Sequence, residues 1–171
     1  ENRVLIVYAN NETSKANLSE EIKHRGVDPS RLIFGDSLPK PKYLARYRTA
    51  DLFLDTHPYN AGTTASDALK MGLPMITYLG NCYQARMGAS IVSALNLPEL
   101  ITHSLEEYEA LAIELATNPE KMQAIKDKLA SNLSTAPLYN TKLFVKNLES
   151  AYTTMYERHH EGLDPDHIYV E

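Results

Sequence analysis

Leu52, Phe53 and Leu54 run directly into Asp55 and Thr56, a turn through Pro58 and Asn60, and then Gly62, Thr63 and Thr64 at the head of a helical pattern. A buried strand leading through a small-residue loop into a helix leaves the first-turn N–H groups without partners. The helix macrodipole makes that point attractive to anions. The pattern demands an interior strand with a helix crossing back over it. It also offers a seat for a phosphate, and so for a nucleotide or nucleotide sugar.

The flanking sequence repeats the same alternation. Arg3 to Tyr8 (RVLIVY) reads as a strand, Asn17 to Arg25 as a polar helix stopped at Gly26, and Arg31 to Phe34 (RLIF) as a second strand. Pro41 to Thr49 reads as a helix with proline in its first turn, Leu52 to Asp55 as the third strand, Thr63 to Met71 as the third helix and Met75 to Tyr78 as the fourth strand. Strands separated by helices pair in parallel through right-handed crossovers. The expectation is α/β: a Rossmann-like, doubly wound parallel sheet with helices on both faces.

Beyond Gly80 the pattern turns mostly helical. Tyr83 to Leu95 is apolar enough to lie on the sheet, and Leu100 with Ile101 suits a short strand. Ser104 opens a helix with Glu107 at the capping-box position, and Asn118 with Pro119 opens another that runs to about Asn132. From Thr141 to His160, Leu143, Phe144, Leu148, Tyr152, Met155 and Tyr156 recur near helical spacing, predicting a long amphipathic helix. One domain over 1–160 and a loosely attached tail over 161–171 follow.

A length of 171 residues and a 43% hydrophobic content allow a real core. The net charge of −5 argues against nucleic acid as a partner, because phosphate backbones select basic faces. A lone Cys82 rules out an internal disulfide framework and suits a reducing compartment, so a cytoplasmic location is expected. Neither a signal peptide nor an apolar run of about 18 residues is visible, so no membrane partner is expected. A sequence beginning at Glu1 leaves open a lost targeting segment.

In open α/β sheets ligands lie outside the carboxyl ends of the strands. The loops at Gly35 to Lys42 and Thr56 to Gly62 both leave strands at that edge, which predicts that they face one ligand, with base, ribose and phosphates shared between them.

The segment LDTHPYNAGTTASDALKMGLPMIT, followed by ARMGAS, resembles the C-terminal nucleotide-sugar domain of the SPINDLY and O-linked N-acetylglucosamine transferase family, GT-B-fold enzymes that glycosylate Ser and Thr of proteins. LPKPKYLARYRTAD before it, and LPELI, EEYEALAIELATNPEKM, PLYNTKLFVKNLESAYTTMYE and PDH after it, extend the similarity over nearly the whole chain in the same order. The resemblance implies a nucleotide-sugar donor, UDP-N-acetylglucosamine or another, an acceptor protein, and no cofactor or metal. Leu38 would present backbone groups to the base, Lys40 would lie beside it, Tyr43 would stack on it and Arg46 would brace that face. Gly62, Thr63 and Thr64 would hold the diphosphate, and Asp67 would accept from ribose hydroxyls.

Two departures from the family pattern qualify this. Tyr43 stands where the animal transferase has His, and Gly62 stands where it has His before the two threonines, as in the SPINDLY branch. The donor is thereby left open between a UDP sugar and GDP-fucose. The family also carries a further strand with a diphosphate-binding Lys, an N-terminal GT-B half with the catalytic groups, and tetratricopeptide repeats. The chain is therefore expected to be a piece of a longer protein, with its catalytic residues elsewhere. A non-catalytic binding module and a protein glucosyltransferase are the alternatives.

Read singly, each candidate also has a plain structural role. Thr63 or Thr64 serves as a helix cap, Asp67 as a first-turn carboxylate, Tyr43 as packing and Lys40 as a surface charge. His24, His103 and His167 lack partners at ligand spacing, and the adjacent His159 and His160 diverge on a helix, so no metal site is indicated. Cys82 is expected to be a small buried residue. Asp55 either ends its strand or holds the loop after it, and Arg86 either orients its loop toward ligand or packs it.

Overall fold

In the computed structural model residues 4–9 and 11–170 are described, and they divide into two compact units, Glu1–Asp51 and Leu52–Glu171. The first contains strand β1 (Leu5–Tyr8), helix α1 (Glu12–His24), β2 (Leu32–Gly35) and α2 (Lys40–Arg46), with a 3-10 turn over Tyr47–Thr49. Strands β1 and β2 pair in parallel, Leu5 opposite Leu32 and Tyr8 opposite Gly35. Arg3 of the predicted first strand lies outside the described residues. Helix α1 starts five residues earlier than expected because Asn11 caps it, its carboxamide oxygen accepting from Ser14 N–H at 2.7 Å.

The second unit holds β3 (Phe53–Leu54), α3 (Thr63–Lys70), β4 (Met75–Tyr78), α4 (Met87–Ala94), β5 (Ile101–Thr102), α5 (Leu105–Thr117), α6 (Pro119–Leu133) and α7 (Thr141–His160). Its three strands are parallel in the order β3-β4-β5. Successive side chains of a strand point to opposite faces, and Met75, Ile76 and Thr77 of β4 are all fully buried, so helices cover both faces of this sheet. Leu69, Val92, Leu95, Leu97, Leu100, Leu115 and Leu129 complete the core between them.

The caps written in the sequence appear where expected. Ser104 Oγ accepts from Glu107 N–H at 3.1 Å while Glu107 reaches back to His103 N–H, and Asn118 caps α6 through Lys121 N–H. Helix α7 has its predicted bounds, but its apolar side chains are exposed, Phe144 at 63% and Tyr156 at 66%. In the first unit Leu5, Ile6 and Ile33 are likewise exposed. The tail is tied at Arg158, which donates to the Asp164 carbonyl at 2.6 Å and lies 3.9 Å from the Asp166 carboxylate, while its own carbonyl accepts from Leu163 N–H at 3.0 Å.

Candidate functional site: an uncapped helix start and an aromatic-cation cluster

The two predicted residue groups fall in different units. In the first, the loop after β2 is held by Arg46, whose Nη1 donates to the Asp36 carbonyl at 2.8 Å. The same guanidinium lies against Gly35, where an added Cβ would stand 2.7 Å from Nη1 and displace the end of the Arg46 side chain. Tyr43 is the centre of a small cluster. Lys40 Nζ lies 5.0 Å and Arg46 Cζ 5.9 Å from its ring centroid, and Tyr47 packs edge-on with the two phenols hydrogen-bonded. The two cations within about 6 Å of the ring centroid engage its electron-rich face and gather positive charge beside it. Leu38 is exposed on the same loop.

In the second unit the β3–α3 loop is built around Asp55, which is buried. Its Oδ1 accepts from Thr56 N–H at 2.9 Å and Ala61 N–H at 2.7 Å, and its Oδ2 from Thr77 Oγ1 at 2.6 Å. Of the two roles open to Asp55, the structure therefore gives it the holding of the loop. Burial pushes the Asp55 carboxyl above the usual carboxylate range, against the lowering effect of those three donors and of His57. Tyr108 donates to the Asp55 carbonyl at 2.9 Å, and burial, with the Asp55 charge, pushes its phenol well up.

Helix α3 then begins at Gly62 with no side-chain cap. The other helices of eight or more residues, α4 excepted, are capped by side chains, α1 by Asn11, α5 by Ser104, α6 by Asn118 and α7 by Asn140. Thr63 and Thr64 occupy the first helical positions and are exposed, so neither hydroxyl does the capping a plain structural reading assigns them. Asp67 is half-buried one turn on, and Ala65, Ala68 and Leu69 seat the opposite side of the helix in the core. Tyr139 braces this helix by donating to the Ser66 carbonyl at 2.8 Å.

A cavity of about 640 Å³ lies beside α4, lined by Leu79, Tyr83, Arg86, Met87, Ser90 and His103 among others. None of the eight predicted residues lines it. Arg86 Nη1 donates to the Gly80 carbonyl at 3.2 Å and so packs its own loop. Cys82 is exposed, contrary to expectation, because its loop lies outside the core. Asn60, buried beneath the loop, had no signal of its own in the sequence; its partners lie 4 and 28 residues away. Among the described residues, no group of three or more His, Cys, Asp or Glu side chains gathers as a metal site, and no helix is long and apolar enough to cross a membrane.

Parallel strands joined by covering helices, with an open helix start after β3, define a Rossmann-like α/β fold of the kind found in the C-terminal half of GT-B glycosyltransferases. A mutant of Thermobaculum terrenum O-GlcNAc transferase superposes with a TM-score of 0.82 at 29% identity, over 90% of this chain and 30% of that one. The sequence model of glycosyl transferase family 41 matches residues 1–148, and the chain belongs to that family. Over 147 residues it is 40% identical to a probable UDP-N-acetylglucosamine–peptide N-acetylglucosaminyltransferase, SEC, of Arabidopsis thaliana, covering 85% of this chain and 15% of that protein. It is 31% identical to the UDP-N-acetylglucosamine–peptide N-acetylglucosaminyltransferase of Caenorhabditis elegans, over 84% of this chain and 12% of that one. A probable SPINDLY transferase of Oryza sativa subsp. japonica is also 31% identical, over 82% and 15%. The chain thus spans 15% or less of these curated relatives' length.

Proposed function

We propose that this chain is the donor-binding part of a protein O-glycosyltransferase, one that moves a sugar, N-acetylglucosamine, from a nucleotide carrier to Ser or Thr of an acceptor protein. The relatives' names support the reaction class. The observation that carries the site is the uncapped start of α3 in a chain that caps its other long helices from its own sequence, α4 apart. There the N–H groups of Thr63 and Thr64, their hydroxyls and the helix dipole meet the diphosphate, and Asp67 accepts from ribose. The leaving diphosphate gains charge as the sugar departs, so fixed donors at this point lower the barrier without a metal.

In the first unit Leu38, Lys40, Tyr43 and Arg46 take the base, with Tyr43 as the stacking face. The donor is UDP-N-acetylglucosamine or another nucleotide sugar, Gly62 in place of His keeping GDP-fucose in view. Residues 1–160 act as one nucleotide-sugar domain, a reading supported by the span of the family match across both units, with 161–171 outside it. Catalytic groups and tetratricopeptide repeats for the acceptor belong to other parts of the parent, in a reducing cytoplasmic compartment suited to the single Cys82.

Titration with UDP and GDP, followed by amide shifts, tests this reading. One or both nucleotides at millimolar concentration are expected to move the amide signals of Gly62, Thr63 and Thr64, and those of Lys40 and Tyr43, with uridine or guanosine alone moving the second group only. Silence at residues 62–64 with both diphosphates refutes the donor role.

A further inference from the structure

We infer that Asn60 is the positioning residue of the diphosphate-binding helix start, a claim that rests on the donor reading above. Helix α4 has no side-chain cap of its own. Gly88, in its first turn, carries one of the N–H groups that a helix leaves unsatisfied. Asn60 supplies the missing acceptor from 28 residues away, its Oδ1 lying 3.3 Å from Gly88 N, while its Nδ2 donates to the Thr56 carbonyl at 2.8 Å. Its backbone N–H is also used, donating to the Gln84 carbonyl at 3.0 Å. The side chain is 2% exposed and makes these contacts with no solvent to replace them.

The carboxamide donates from one atom and accepts at the other, so one side chain bridges both partners. The loop is therefore clasped between the start of α4 and its own first residues, and the next three residues are Ala61, Gly62 and Thr63. The start of α4 meets the loop a second time at Met87, whose Sδ lies 3.4 Å from the place of a Cβ on Gly62. Because Asn60 fixes where Gly62 leaves the loop, it sets the direction of the Thr63 and Thr64 N–H groups without touching the ligand.

The test compares UDP affinity by amide-shift titration in wild type, Asn60→Asp, Asn60→Ser and Asn132→Ala. Asn60→Asp keeps an acceptor for Gly88 and loses the donor to Thr56. Asn132→Ala removes a comparable carboxamide bond, to the Leu95 carbonyl at 2.8 Å, from a helix remote in sequence. At a temperature where all are folded, Asn60→Asp and Asn60→Ser are expected to bind UDP about tenfold or more weakly, with the free-state amide signals of Thr63 and Thr64 displaced. Asn132→Ala is expected to melt earlier yet bind like wild type. Wild-type affinity in folded Asn60 variants overturns the inference alone, as does failure of both to fold, which makes the residue a folding requirement. Binding of neither UDP nor GDP by wild type, with Thr63 and Thr64 silent, overturns the donor reading and the inference with it; where GDP alone binds, the same comparison of variants is made with GDP.

Discussion

Replacing Gly88 by alanine is expected to lower the melting temperature by on the order of 10 °C, although the change adds a single methyl group. Gly88 sits in the first turn of α4 with its α-carbon against the bonded pair Asp55 and Thr77. A Cβ there overlaps both Asp55 Oδ2 and Thr77 Oγ1. Neither neighbour is the free end of a flexible side chain. Both are buried, and Asp55 is committed to three donors. Overpacking costs about 1–3 kcal/mol and disturbing a buried hydrogen-bonded pair adds a similar amount, so roughly 2–6 kcal/mol is expected in all. Thermal unfolding monitored by circular dichroism measures it. A melting temperature within a degree or two of wild type is incompatible with α4 lying against Asp55 as described.

Asp55→Ala is expected to cost about as much by the opposite route, because it leaves Thr56 N–H, Ala61 N–H and the Thr77 hydroxyl facing no acceptor, at roughly 1–3 kcal/mol for each that stays buried and unpaired. Asp55→Asn keeps Oδ1 as acceptor and can donate to Thr77 Oγ1, so most of the stability is retained and the loop persists. The two variants also separate a pH effect. Burial is the main cause that raises the Asp55 pKa above its ordinary 3.8. The folded protein therefore holds a proton that the unfolded chain has released, and wild-type stability relative to Asp55→Asn falls as pH rises from 3.8 through the folded pKa, then levels off. Urea unfolding at several pH values reads this slope. A relative stability that climbs with pH over that range contradicts the burial argument.

The parts of the fold legible in the sequence are those fixed by local chemistry. Ser104 with Glu107, and Asn118 with Pro119, mark helix starts that any chain would use, and Met75 to Tyr78 reads as a strand from its short apolar run between helical patterns. The glycine-threonine helix start was equally plain, since its meaning depends on neighbours only one or two residues away. What escaped the sequence depends on distant partners. Nothing near Asp55 reveals Thr77 below it, and nothing near Asn60 reveals Gly88. The periodicity of α7 shows which side chains share a face, but not whether another element covers them, so exposure of Phe144 and Tyr156 was invisible. The buried place assigned to Cys82 came from residue type alone, and a loop position overrode it.

If a diphosphate completes the uncapped start of α3, the Thr64 hydroxyl contributes to its binding. Thr64→Val tests this most directly, since it keeps the branched shape of the side chain and removes the hydroxyl, while the backbone cap position remains Gly62. A charge-assisted hydrogen bond to phosphate contributes about 1.5–3 kcal/mol, and 1.4 kcal/mol is about a factor of ten in affinity. UDP or GDP, whichever binds wild type more tightly, is titrated into both proteins under the same conditions, with melting temperatures recorded alongside. Affinity for the nucleotide is expected to weaken by about tenfold or more at an almost unchanged melting temperature. Equal affinity with a lowered melting temperature contradicts it and returns Thr64 to a structural role.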